Sequence, residues 1–211
     1  MSEVLHLYNR MLAYGNKIKE RELTPVEITK ILRRFVGTTD IKIKTNRDIH
    51  VDDNQVIIGG CYDPGEDQSN FSSITIYVNF NPSQIKIAIS VIDWPRLCVE
   101  LIECVEHEKV HQRQYRKRKF DVCNSVFVSM STDQSKKLDQ EYLGSLDEID
   151  AYSYSLATEI HLKYNPLELT YNYCRKSSLY KMYVAAFGSD HIIVKQFKQR
   201  AINYYLTIIN S

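Results

Sequence analysis

The sequence predicts an α+β fold. Three observations predict it: helical apolar spacing in the first forty residues, a block of short β-branched stretches between Asp40 and Ser90, and a return to helical spacing from Trp94 to the end. A small mixed or antiparallel sheet packed on a long helix, with a mainly helical C-terminal part, satisfies all three. A chain of 211 residues with no internal repeat, low-complexity tract or Pro/Gly-rich linker reads as one domain over 1–211. Within it, 1–39 is a helical part, 40–120 holds the sheet and the long helix, and 140–211 is helical again.

Each element has a local reason. Val4 to Lys19 carries helical apolar spacing. Thr24 is an N-cap, Pro25 takes the first helical position and Glu27 stands three residues after the cap, so a second helix opens there and ends near Gly37. The stretches IKIKT, QVIIGG, SITIYVNF and IKIAIS are β-branched, partly alternating and separated by turn residues, which predicts a small antiparallel sheet. DPGEDQSNFSS, from Asp63 to Ser73, reads as a loop. Asp93 precedes Trp94 and Pro95, after which Leu97, Leu101, Cys104 and Val105 form the apolar stripe of a helix that fades into QRQYRKRK. Asp121 to Asp139 is polar apart from VFVSM, and a loop or hairpin is expected there. A further helix begins near Ser145 or Asp147, with Ile149, Leu156 and Ile160 on one face and Glu148, Tyr152, Ser155 and Glu159 along its neighbour. Two more helices, separated by Gly188, complete the chain.

Composition removes several classes of function. The apolar share of 44% and charged share of 25% are ordinary for a globular protein, and no stretch approaches the roughly 20 apolar residues needed to span a bilayer. The N-terminus has Glu3 ahead of its apolar residues and lacks the basic start and cleavage site of a secretory signal. Five cysteines (Cys61, Cys98, Cys104, Cys123 and Cys174) are an odd number without CxxC spacing, so free thiols in a reducing, cytoplasmic compartment are expected. A net charge of +1 gives no global reason to bind nucleic acid or an anionic membrane. The one dense basic run, Arg113 to Lys119, reads as a solvated helix end favoured by the helix dipole. The fifteen tyrosines read mainly as packing residues between helices.

Residues 107 to 111 read His-Glu-Lys-Val-His. In a helix this spacing sets His107 and His111 on one face a turn apart, able to share one metal ion, while Glu108 is rotated from His111 by less than a right angle and can reach a water beside that ion. Six histidines and thirteen glutamates placed at random in 211 residues give the HExxH pattern with a chance of only about 1%. The competing reading is two helix-surface histidines with Glu108 in a solvated ion pair. A catalytic zinc, one per chain, needs a third protein ligand and an open position. Glu148, 37 residues after His111 and near the start of the following helix, is the leading candidate; Asp147, Asp150 and a distant histidine stay open beside it. Acidic residues in a first helical turn also serve the helix dipole.

HEKVH followed by the Glu-bearing segment GSLDEIDAYS resembles the gluzincin branch of the zincin metallopeptidases, over roughly Ser73 to Thr158. The pairing of HEKVHQRQY with LDEIDAYSYSLA is similar to small zincin-like proteins of tailed bacteriophage and bacterial genomes. The resemblance implies a zinc-dependent hydrolase, most simply a metallopeptidase acting on a peptide or protein substrate, with Glu108 as general base and His107, His111 and Glu148 on the metal. It also implies association with a virion if the protein is phage-encoded. By the order of elements, Ile74 to Phe80 takes the place of the zincin strand that lines the cleft, either at the sheet edge or inside the sheet. The position four residues after the glutamate, often Asp in gluzincins, is Tyr152 here. A hydroxyl, or another carboxylate such as Asp150, then has to orient a ligand. Candidate donors to the oxyanion are Tyr152, Tyr171, Tyr173, His161 and His191. Two rivals stand beside the peptidase: a non-catalytic structural or interaction protein that retains the fold, and a nucleic-acid-binding module using the basic helix end.

Overall fold

A computed structural model describes residues 3–121, 127–163 and 174–210, and the chain divides into two units, Glu3–Gln112 and Arg113–Ser211. Mixed helices and small sheets make up the first; the second is helical.

The first unit opens with α1 (Glu3–Ile18) and α2 (Pro25–Val36), as expected. Thr24 and Glu27 form the full capping box: the Thr24 hydroxyl accepts from the Glu27 N–H at 3.2 Å, and the Glu27 carboxylate accepts from the Thr24 N–H at 2.8 Å. Gly15 of α1 leaves the space that the Trp94 indole fills, and Trp94 Nε1 donates to the Met11 carbonyl at 3.0 Å. That contact fixes the start of the long helix.

Strands β2 (Ile41–Arg47), β3 (Ile57–Tyr62) and β4 (Ile74–Phe80) form a mixed sheet in the order β2-β4-β3. The expectation of antiparallel pairing holds for β3 with β4 but not for β2 with β4, which are parallel. The chain reverses at each strand, and the third strand inserts beside the first, so those two must run the same way. Ile74 to Phe80 is thus the central strand, bonded along both edges, and the edge strands are β2 and β3. Its alternating Ile74, Ile76, Val78 and Phe80 are fully buried, in register with Ile41 and Ile43 of β2. IKIAIS does not join this sheet. Only its Ile87–Ala88 (β5) is a strand, paired antiparallel with β1 (Glu22–Leu23). The loop expected over Asp63 to Ser73 contains one short helix, α3 (Pro64–Gln68), capped by Asp63.

Helix α4 (Trp94–Lys117) starts where Asp93 Oδ1 accepts from the Arg96 N–H at 3.1 Å. It belongs to the first unit through Gln112 and to the second from Arg113.

The second unit continues with α5 (Gln134–Leu143), α6 (Leu146–Lys163), a 3-10 turn (Cys174–Lys176), α7 (Ser178–Phe187) and α8 (Ile192–Ile209). Helix α5 corrects the loop expected as far as Asp139. Its N-cap Asp133 accepts from the Lys136 N–H at 3.0 Å, but its Leu138 and Tyr142 are exposed, so no apolar stripe announced it. Ile149, Leu156 and Ile160 of α6 pack with Tyr183 of α7 and Phe197 and Tyr205 of α8. Tyr183 stacks on Phe197 with ring centroids 4.0 Å apart, and burying each such ring stabilises by about 2–3 kcal/mol. Tyr180, Tyr183 and Tyr205 are therefore packing residues. Gly188, at φ 88°, adopts the backbone that separates α7 from α8. Among the described residues no helix is long and apolar enough to cross a membrane.

Candidate metal centre

In the first unit, α4 carries His107 and Glu108 on one turn and His111 on the next. The two imidazoles face each other with Nε2 atoms 3.0 Å apart and ring centroids 4.8 Å apart. Two nitrogens coordinated tetrahedrally at zinc, each ~2.05 Å from it, stand about 3.3 Å from one another. The pair is thus set nearly as two ligands of one ion would be. Without an ion, the same geometry holds one ring N–H pointed at the other ring's lone pair.

Neither His107 nor Glu108 is a helix-surface residue: they are 8% and 7% exposed. A solvated ion pair at Glu108 is therefore excluded by position. The carboxylate lies under β3, where a Cβ on Gly60 would come within 3.0 Å of Glu108 Oε1 and 2.7 Å of Cys104 Sγ. Any larger residue at 60 would displace one or both. Burial pushes the Cys104 thiol up, and the Glu108 and Glu103 charges add to it, so Cys104 remains a thiol beside that carboxylate.

One residue beyond His111, Gln112 joins a buried polar network. Its Nε2 donates to Asp67 Oδ1 at 3.2 Å and to Ser73 Oγ at 3.0 Å, while the Tyr62 hydroxyl donates to Asp67 Oδ2 at 2.9 Å. Asp67, Ser73 and Gln112 are all buried. The network ties α3 and the ends of β3 and β4 to the turn of α4 that bears His111. Sequence reasoning missed it because DPGEDQ reads as a solvated loop.

In the second unit the three acidic candidates at the start of α6 are sorted by their partners. Asp147 receives both Nη atoms of Arg118, at 2.8 and 2.7 Å. Asp150 accepts from Arg200 Nη1 at 3.0 Å, from the Tyr204 hydroxyl at 2.7 Å and from Gln114 Nε2 at 3.4 Å. Desolvation and that bond push the Tyr204 phenol up to about 12. The Glu148 backbone N–H donates to Ser145 Oγ at 3.3 Å, and desolvation followed by the Glu148 charge pushes the nearby Tyr142 phenol up. Asp150, offered as an orienting carboxylate, is engaged by Arg200 and Tyr204.

The remaining sequence candidates separate equally well. Tyr152 lies beside Tyr142, ring centroids 6.4 Å apart. His191 is the N-cap of α8, its Nδ1 accepting from the Ile193 N–H at 3.2 Å, and it stacks on Phe187. That role is structural. His161 packs against Tyr205, and desolvation lowers its pKa. Tyr171 and Tyr173 lie outside the described residues. In the basic run, Arg118 is held by Asp147 and Arg113 sits over the Tyr154 ring at 5.3 Å.

No family model matches the chain, and neither a curated protein nor a solved structure does.

Proposed function

We propose that the protein is a zinc-dependent metallohydrolase of the zincin type, gluzincin-like, cleaving amide bonds of a peptide or protein. The observation that carries this reading is the buried His107–His111 pair, Nε2 atoms 3.0 Å apart, with a buried Glu108 one residue along the same helix. Glu148 is the third ligand. Two imidazoles and a carboxylate are a donor set able to hold a metal ion, and the competing Asp147 and Asp150 are engaged by Arg118 and Arg200. The Glu148 carboxylate also has the hydroxyl company expected of an oriented ligand.

Bound zinc would supply Lewis acidity, lowering the pKa of water and polarising a carbonyl. The chain's own residues do the rest. Glu108, wedged between α4 and Gly60, takes the proton of the attacking water and delivers it to the leaving amine. Its confinement keeps the carboxylate aimed in one direction. Strand β3, an edge strand over Glu108, offers its free edge to an extended substrate in β-augmentation, the role first given to Ile74–Phe80. Tyr152, one helical turn beyond Glu148 on α6, is the oxyanion donor among the described candidates.

The test is metal content. Purified protein should hold near one zinc per chain, and His107→Ala and Glu148→Ala should each lose it. Peptide-library cleavage then follows, with Glu108→Gln as the zinc-loaded, inactive control. A wild-type protein that takes up no zinc on reconstitution overturns the reading. A zinc-loaded protein that cleaves nothing leaves the non-catalytic structural protein.

A further inference from the structure

We infer that a cavity between α1, β1 and α2 of the first unit binds the phosphate group of a small phosphorylated molecule. It shares no residue with the proposed metal centre. The cavity is about 210 Å³, below the roughly 300–1,000 Å³ of sites that enclose drug-sized ligands, so it suits one compact polar group. Leu23 and Ile31, both buried, and the half-buried Tyr14 form its apolar lining. Tyr14 is held edge-on to Phe35, ring centroids 5.6 Å apart, and Arg10 lies over the Phe35 ring at 5.8 Å. Arg21, Lys30 and Arg34, all exposed, complete the mouth of the cavity.

The charge of this lining is what calls for a ligand. Several cations on other helices are paired with a carboxylate one turn away: Arg96 with Glu100, Lys109 with Glu106, and Lys163 with Glu159. Among the described residues, none of Arg21, Lys30 and Arg34 has an ion-pair partner. Lys30 and Arg34 stand four residues apart on α2, where like charges repel across one turn. The helix dipole compensates Arg34 in the last turn but not Lys30 in the middle. Among the described residues the lining's only carboxylate is Glu27, and it is engaged at the capping box. Its Oε2 accepts from the Thr24 N–H at 2.8 Å and from the Thr24 hydroxyl at 2.9 Å. Three cations less one carboxylate leave a lining charge of +2, the complement of a phosphate monoester dianion. Two guanidinium forks match phosphate oxygens in pairs, and the Lys30 ammonium adds a third point of charge. A carboxylate ligand would leave one positive charge unmet. A nucleic-acid strand would need a track of cations rather than one cavity.

The experiment titrates the full chain with inorganic phosphate, and separately with phenyl phosphate, near pH 8. Sodium chloride is lowered in step to hold ionic strength constant, and the arginine Nε–H groups are followed by ¹⁵N NMR. The Arg21 and Arg34 signals should shift saturably, and acetate under the same conditions should bind at least about tenfold more weakly. In the double variant Lys30→Gln, Arg34→Gln the Arg21 response should need at least about tenfold more phosphate. The urea midpoint of that variant should be no lower than the wild type's, because the substitutions relieve a repulsion. No saturable shift, a shift produced equally by acetate, or an Arg21 response unchanged in the double variant overturns the site. Sedimentation with vesicles containing phosphatidic acid, without a response to either soluble phosphate, overturns it in favour of a membrane surface. The same titration is expected with and without zinc, so a protein that takes up no metal leaves this site standing while removing the hydrolase.

Discussion

Gly60 of β3 lies so close to Glu108 of α4 that a single methyl group at position 60 would stand 3.0 Å from the carboxylate oxygen. The contact is steric rather than conformational, because Gly60 is not at positive φ. Gly60→Ala should therefore fold, at an overpacking cost of about 1–2 kcal/mol, with Cys104, whose sulfur would stand 2.7 Å away, and Glu108 both pushed aside. Zinc content should be unchanged while kcat falls by about tenfold or more, as expected for a displaced general base. A variant with full kcat and full zinc would show that Glu108 needs no such confinement.

The Asp67 carboxylate accepts from Gln112, Tyr62 and Ser73, the last at 3.4 Å. Removing it strands buried donors, each costing about 1–3 kcal/mol. Asp67→Ala should lower unfolding stability in urea by about 2–4 kcal/mol, and Asp67→Asn, which keeps one acceptor oxygen, should recover a good part. If the alanine variant unfolds at the wild-type urea midpoint, the network is not what secures this turn of α4.

Cysteine reactivity reports the same packing. Cys61 is exposed on β3. Burial pushes Cys98 up to about 12 and raises Cys104 and Cys174 as well. Since the thiolate is the nucleophile, iodoacetamide at pH 8 should modify Cys61 in the native protein and leave Cys98, Cys104 and Cys174 intact until denaturant is added. Peptide mass mapping resolves each site, and labelling of Cys104 as fast as Cys61 would contradict the burial beneath Gly60.

What could be read in advance was local. The capping box at Thr24 and the Asp93 start of α4 are carried by side chains a few residues apart, and the helical spacing of His107 and His111 needs only one element. What could not be read depends on partners distant in the chain. The central place of β4 follows from pairing with both β2 and β3, and alternation alone cannot distinguish a central strand from an edge. The significance of Gly60 is invisible without α4 beneath it. Helix α5 escaped because it exposes the residues that would have marked its buried face.

The choice of Glu148 over its neighbours makes the last prediction. Asp147 and Asp150 lie one residue before it and two after, and each is already neutralised: Asp147 by a two-pronged Arg118 contact and Asp150 by Arg200 and Tyr204. Such pairs, partly shielded from water, hold α6 in place and stabilise by about 1 kcal/mol each. Asp147→Asn and Asp150→Asn should therefore cost about that much stability and weaken zinc binding by roughly tenfold at most, through loosened orientation. Glu148→Gln should instead weaken zinc binding by more than about 100-fold, beyond what loss of an orienting contact produces, with little change in the urea midpoint. Competition titration with a zinc chelator, run beside urea unfolding on the three variants, separates a ligand from its supports. If Asp147→Asn proves the most damaging to zinc affinity, the third ligand is Asp147 and its arginine contact gives way when the ion binds.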